Sequence, residues 1–195
     1  MRHVKTLHLY RYWAALKGTR PRPALSEFQP TILRSLMADI FTLRGEPHAF
    51  GYAGSRLRAT LRQPLDGHAF DQLWPQEDRA DIRRLLAAVV EEGLPVILQL
   101  RLDWSYPDGA ARMAEGEALL VPASDAAGGA PAVMGSFALF DGGAAQAARP
   151  ALSLRSASFP SRTVATAEPT HAPEPVASPA RSWPLRLVGT GSRGS

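Results

Sequence analysis

The hydrophobic period of the sequence changes at Gly93, and this change limits the folds available to the chain. Between residues 82 and 90, apolar side chains recur every three or four residues, as on one face of a helix. After Gly93 the run LPVILQLRLDW alternates, which is typical of a strand with one buried face. A helix followed by alternating strands predicts an α+β domain.

Further strands are predicted on both sides of this point. The runs EGEALLV and AVMGSFALF follow the first strand, separated by turn-forming segments rich in Pro, Gly, Asp and Ser. Residues 39–58 read as two more strands joined by a turn at Gly45–Pro47. We therefore predict a five-stranded antiparallel sheet with its helices on one face, including a helix over residues 79–92 that is capped by Asp78.

The N-terminal region is predicted to be a helical extension. Leu9, Trp13 and Leu16 share one helical face before Gly18, and a Pro-rich link follows. A second short helix is predicted to begin near residue 29. The first helix suits either docking to a second molecule or packing on its own sheet. The expected organisation is an extension at residues 1–28, a domain at 29–142 and a tail at 143–195.

The tail is predicted to be a disordered linker, because it is rich in Ala, Pro, Ser and Thr and has no periodicity. Residues 182–188 differ, since Trp183, Leu185 and Leu187 alternate as in an extended strand. Such a segment can bind by adding to the edge of a sheet. These three residues are the candidate partner-docking residues, with an inert apolar segment as the alternative.

The residue types present exclude several chemistries. The chain has no cysteine, so it has no disulfide, thiolate metal site or thiol nucleophile. Its five histidines are scattered, and the common nucleophile and nucleotide-binding motifs are absent. The carboxylates between residues 66 and 81 are spaced as helix caps and first-turn residues. We expect no catalytic residue, no metal site and no cofactor, and hence no enzyme.

The charge distribution bears on partners and location. Residues 1–34 carry a formal charge of +6, residues 35–142 carry −6, and residues 143–195 carry +4. A nucleic-acid-binding domain usually concentrates positive charge on its folded body, so nucleic acid is an unlikely partner. The sequence contains neither a signal peptide nor a membrane-spanning run, which predicts a cytoplasmic protein.

A helix facing an antiparallel sheet can enclose a cavity for a small apolar ligand. Close packing of the same side chains is the alternative. The candidate pocket residues are Phe70, Trp74, Leu86, Val90, Leu98, Leu100 and Phe137.

Several phrases of the sequence resemble a family of stand-alone bacterial PAS-domain proteins, mainly alphaproteobacterial and formerly a domain of unknown function. In order, they are YRYWAAL, FGYAGSRL, LDGHAFDQLW, EALLVP and VMGSFALF. The resemblance spans residues 7–141. It departs from the family pattern at Arg62 and Pro64, where a Gly is usual before the short helix.

The resemblance implies a non-catalytic sensory or regulatory protein that acts through contacts with an unidentified regulatory protein or as a homodimer. A cone-shaped α+β enzyme or carrier with a small-molecule cavity is the alternative. Strands at residues 39–58 paired with the later strands would favour the PAS interpretation, whereas helices there would favour the cone. A nucleic-acid-associated regulator that acts through its basic ends is a third option.

Overall fold

Six strands form one antiparallel sheet in the computed structural model, which describes residues 1–106, 108–140 and 148–160. The strands are β1 (Ile40–Arg44), β2 (Ala49–Ala53), β3 (Val96–Ser105), β4 (Ala111–Ser124), β5 (Pro131–Leu139) and β6 (Ala151–Ser158). Their order across the sheet is β2-β1-β5-β4-β3-β6. Three helices accompany them: α1 (Val4–Lys17), α2 (Ser55–Leu61) and α3 (Gln76–Val90). Within these described ranges, no helix is both long enough and apolar enough to cross a membrane.

The α+β class and the antiparallel sheet are confirmed, and α3 matches the helix expected over residues 79–92. The expected cap is wrong. The N-cap position of α3 belongs to Pro75, and Asp78 lies within the first turn of the helix. Its Oδ2 atom instead accepts a hydrogen bond from the backbone N–H of Leu154 on β6, with 2.9 Å between nitrogen and oxygen.

The sheet buries both of its faces, so the expectation of helices on one face is incomplete. On one face, α2 and α3 cover the alternating residues that the sequence pattern identified. On the other face, α1 and the segment after it cover Ile97, Leu119, Val121 and Met134. The N-terminal helix therefore packs on its own sheet, where the indole Nε1 of Trp13 donates to the carbonyl of Pro122, at 2.8 Å.

The expectation of five strands is wrong because β6 adds a sixth at the edge of the sheet. Residues 151–158 were predicted as linker, since alanine and serine dominate them. They form a strand because the free edge of β3 supplies backbone partners, from Ile97 opposite Ser158 to Asp103 opposite Ala151. Leu152 and Ala157 are buried against the core. Residues 143–147 and 161–180 of the predicted linker lie outside the described residues, as do the candidate partner-docking residues Trp183, Leu185 and Leu187.

Two local predictions near β1 and β2 are also wrong. Residues 30–39 form successive turns instead of the helix expected near residue 29, although Leu33 and Leu36 are buried as the spacing indicated. The second predicted strand ends at Ala53, and α2 begins at Ser55. Gly54 lies against the backbone of Met37 and Ala38, where a Cβ atom would collide with both. This close approach stops the strand and turns the chain into α2.

We expect Asp78→Ala to loosen β6 selectively. The change removes a charged acceptor from the Leu154 N–H, and such a hydrogen bond contributes about 1.5 kcal/mol. Amide hydrogen exchange over residues 151–158 should accelerate roughly tenfold. Glu77→Ala is the matched control, because Glu77 is exposed on the same helical turn. Equal exchange rates in the two variants would show that Asp78 does not hold the strand.

Candidate functional site

Four aromatic rings form the centre of the layer beneath α3. The rings of Phe41 and Phe70 are stacked at 5.6 Å between centroids, and Phe50 lies 5.5 Å from Phe41 and 5.8 Å from Phe70. The indole of Trp74 adjoins Phe70 at 6.1 Å. Phe41 and Phe50 lie on β1 and β2, Phe70 lies in the 3₁₀ turn at Phe70–Leu73, and Trp74 follows that turn, so the rings pack the segment before α3 against the sheet.

The structure brings all seven candidate pocket residues to this layer. Six of them are buried members of one apolar cluster, and Val90 packs against it while half-buried. These six are Phe70, Trp74, Leu86, Leu98, Leu100 and Phe137. The spacing of the apolar residues was therefore sufficient to place them together. Whether they enclose a ligand stays a prediction.

Two polar groups within this layer lack a partner in the part of the chain that the structure describes. They are the indole nitrogens of Trp74 and Trp104, whose side chains are almost completely buried. A buried indole N–H usually finds a hydrogen-bond acceptor. Both donors are therefore available to an acceptor inside the core.

A groove of about 220 Å³ opens outside this core, between the C-terminal half of α3 and the β1–β2 turn. Its apolar lining, which we call the floor, consists of Leu86 and Val90 from the candidate set together with Pro47 and Ala87. Its polar residues are Glu46, His48, Asp71, Arg83 and Glu91. We refer to these nine residues as the α3 groove.

One ion pair organises the groove. The Nε of Arg83 donates to Oδ2 of Asp71, at 2.7 Å, and Asp71 is buried whereas two thirds of the Arg83 side chain is exposed. The buried carboxylate thus fixes the orientation of an exposed guanidinium. Neither Glu46 nor Glu91 takes part in a salt bridge among the described residues. The rim therefore has unpaired negative charge.

The β1–β2 turn holds the other wall of the groove in place. The N–H of His48 donates to the carbonyl of Gly45 at 2.7 Å, and the His48 carbonyl accepts from the N–H of Phe70. His48 has a φ of 60°, in the left-handed region that residues other than glycine seldom adopt. The sequence predicted a turn at Gly45–Pro47 but gave no sign that it would face α3.

The expectation that the acidic residues are caps and first-turn residues of helices is correct only in part. Asp66, Asp71 and Asp81 form ion pairs with Arg58, Arg83 and Arg84 respectively. The arginine beside it lowers the pKa of Asp66. Asp71 in the 3₁₀ turn at Phe70–Leu73 and Glu77 and Asp78 in α3 do lie in the first turn of a helix, as the helix-dipole interpretation expects.

Glu117, a buried carboxylate that sequence reasoning missed, anchors the N-terminus of α1. The side chain of Glu117 on β4 accepts from the backbone N–H groups of Arg2 and His3, at 2.9 and 3.3 Å, and from Nε2 of Gln99, at 2.7 Å. Burial alone would raise the pKa of Glu117, but these donors favour the charged form and the net effect lowers it. The charged carboxylate also complements the positive end of the helix dipole.

Asp39, immediately before β1, is a second buried anchor. It accepts from Nζ of Lys5 on α1, at 2.7 Å, and from the guanidinium of Arg56 on α2. Since α1 and α2 lie on opposite faces, one carboxylate connects the two layers at the end of the sheet. No group of His, Asp and Glu side chains able to hold a metal ion occurs among the described residues.

A family model described as a PAS domain matches residues 1–138. The chain belongs to the PAS domain family. Its resemblance to that family in sequence is thus confirmed, and the pairing of β1 with β5 is the arrangement expected of a PAS domain rather than of the cone-shaped alternative.

Among solved structures, this PAS domain is similar to a chain titled as the structure of an RNA-binding Light-Oxygen-Voltage receptor. The identity is 18%, the TM-score is 0.38, and the match covers 60% of this chain and 35% of the receptor chain. The chain therefore spans about a third of that receptor's length. No curated protein matches the sequence.

We expect Glu117→Gln to reduce the stability of the PAS domain in a pH-dependent way. Because folding lowers the pKa of Glu117, its contribution is present above the ordinary value of 4.5 and disappears as the pH falls below it. At pH 7 the variant should lose about 2 kcal/mol in the free energy of unfolding. Between pH 5 and pH 3, chemical denaturation should show a shallower decline for the variant than for the wild type, by the linkage relation.

Glu115→Gln is the control, since Glu115 is exposed on the same strand. If Glu117→Gln and Glu115→Gln gave the same stability at every pH, Glu117 would not anchor α1.

Proposed function

We propose that this PAS-domain protein is a non-catalytic regulator that acts through protein–protein contacts, with the α3 groove as its contact surface. The family is sensory and regulatory in type. The observation that carries the proposal is the groove itself, which combines an apolar floor with an oriented guanidinium and unpaired carboxylates on its rim. Apolar anchors surrounded by charged residues are typical of protein contact sites.

The composition of the groove favours a basic and apolar segment of a partner. Pro47, which is exposed, and Ala87 and Val90, which are half-buried, offer a surface to an apolar side chain. Glu46 and Glu91 attract a cation, while the guanidinium of Arg83 can donate to a backbone carbonyl or carboxylate. We propose that the partner is an unidentified regulatory protein. Alternatively, a second copy of this chain supplies the segment, and the protein is then a homodimer.

The prediction for this surface uses two substitutions on the same helix. Ala87→Arg fills the groove with a side chain that favours helix, whereas Ala80→Arg adds the same charge at an exposed position outside it. Crosslinking in the native host should yield a discrete partner with the wild type and with Ala80→Arg, and at least about tenfold less with Ala87→Arg.

Thermal unfolding of both variants provides the control for folding. The proposed contact surface would be contradicted if Ala87→Arg remained folded and captured the partner as well as Ala80→Arg did.

A small apolar ligand in the interior is the second candidate function, and the unpartnered indole nitrogens of Trp74 and Trp104 favour it. A ligand carrying one acceptor could satisfy either donor while its apolar part contacts the aromatic rings. Native mass spectrometry should then show a discrete added mass that is lost on denaturation. Identical native and denatured masses for protein taken from its own host would rule this ligand out.

We further propose a cytoplasmic location and no nucleic-acid partner. The support for the latter is the negative formal charge of residues 35–142, which would repel phosphates from the folded body. For the absence of catalysis, the support is that the inward-facing residues of β3 to β5 are apolar. A cone-shaped enzyme would place a carboxylate or a histidine there.

A further inference from the structure

The C-terminal part of the chain carries a segment whose chemistry complements the α3 groove. Residues 181–188 read RSWPLRLV, which combines two arginines with Trp183 and three aliphatic residues. The groove offers the accessible apolar side chains of Pro47, Ala87 and Val90, together with two carboxylates, Glu46 and Glu91, that have no ion pair in the described ranges. Charge and apolar character therefore match between the two.

The chain leaves the described structure at the end of the sheet where the groove lies. Strand β6 runs antiparallel to β3 and ends at Ser158, opposite Ile97 near the start of β3. The C-terminus of α3 connects to the same end of β3 through the turn at Gly93. Strands β1 and β6 run in the same direction, opposite to β3 and β5, so both end where β3 begins. The β1–β2 turn follows the end of β1 and therefore lies at this same end of the sheet.

The length of chain between β6 and the segment fits this separation. Across the sheet, β1 and β6 are four strand spacings apart, which corresponds to about 19 Å. Residues 161–180 connect Pro160 to the segment. A coil of about 20 residues has a root-mean-square span of roughly 25 Å. A tether whose average span matches the distance gives the highest effective concentration, on the order of millimolar.

We propose that residues 181–188 occupy the α3 groove of the same molecule, with Trp183 on the apolar floor and Arg181 and Arg186 at Glu46 and Glu91. The segment then covers the surface through which the protein contacts its partner, so the partner must displace it. This inference rests on the proposed function, since it assigns an internal competitor to the same groove. It also extends the prediction for Trp183, Leu185 and Leu187 by naming the surface that receives them.

The absence of cysteine allows a direct test in the full-length protein. Ser182→Cys would carry a nitroxide spin label, and amide signals of isotopically labelled protein would be measured in the oxidised and reduced states of the label. We expect strong loss of signal at Ala87, Val90 and Glu91 and little loss at Met113, which is exposed on β4 opposite Asp103, at the other end of the sheet. Uniform or absent loss over α3 would overturn the proposal.

A mixed sample separates docking within one molecule from docking between copies. Spin-labelled protein without the isotope is combined with isotopically labelled protein that lacks the nitroxide. The proposal is supported if signal is lost at the groove when each molecule carries both the isotope and the nitroxide, but not in this mixture. Equal loss in the mixture would assign the groove to a second copy and overturn occupation within one molecule.

Charge exchange tests the assigned contacts. Arg181→Glu with Arg186→Glu should reduce the signal loss at the groove severalfold, and adding Glu46→Arg with Glu91→Arg should restore it. Glu92→Arg, at an exposed neighbour outside the groove, is the control and should restore nothing. Failure of the exchange to restore the effect would overturn the contacts to Glu46 and Glu91.

The spin-label experiment and the partner-capture experiment can fail independently, so they distinguish the internal occupant from the partner contact surface. If the spin label had no local effect but Ala87→Arg still abolished partner capture, the internal occupant would be rejected and the contact surface retained. If the label acted locally while Ala87→Arg captured the partner normally, the internal occupant would be retained and the partner surface rejected.

Discussion

Both faces of the β3–β4–β5 meander are apolar and must be buried, and this requirement determines where the helices pack. One face of these strands needs α2, α3 and the aromatic rings around Phe70, and the other needs α1 with the segment after it. Each layer removes apolar surface from water, at roughly 25 cal/mol for each Å². The buried carboxylates Asp39 and Glu117 then fix how α1 sits, because a buried charge is tolerated only where donors surround it.

This double burial also explains why the polar contacts lie at the ends and edges of the sheet. Backbone partners for β6 come from the free edge of β3, and Asp78 supplies one more acceptor from α3. The α3 groove lies where α3 reaches beyond the aromatic rings and meets the β1–β2 turn. Its apolar floor is therefore continuous with the core through Leu86, while its rim is exposed and charged.

The sequence predicted the elements whose hydrophobic period is simple. The stripe of α3 and the alternation in β3 were sufficient to bring Leu86 and Leu98 together in one core. The second buried face was missed because Ile97 and Leu119 alternate with residues that had already been assigned to the core. The strands were therefore predicted to bury only one face. Strand β6 was missed because alanine and serine have little periodicity, and its formation depends on a pairing partner remote in sequence.

The groove could be predicted only in part, for a related reason. Leu86 and Val90 were in the candidate pocket because of their helical spacing. Glu46, Asp71 and Arg83 are far apart along the chain, and their proximity follows from the way α3 crosses the sheet. A carboxylate that pairs with an arginine and one that only lies in a first turn have the same local sequence signature. The first-turn location of Asp71 was therefore expected, whereas its ion pair with Arg83 was missed.

On the interpretation given above, the α3 groove receives an apolar side chain from outside the described core. Nuclear Overhauser effects to the methyl groups of Val90, measured in the full-length protein with methyl labelling, test it most directly. Val90 is a half-buried residue of the groove floor, and we expect cross-peaks from the indole protons of Trp183 to its methyl groups. Cross-peaks from Val90 to core neighbours alone, both in the isolated protein and in the presence of the captured partner, would contradict it.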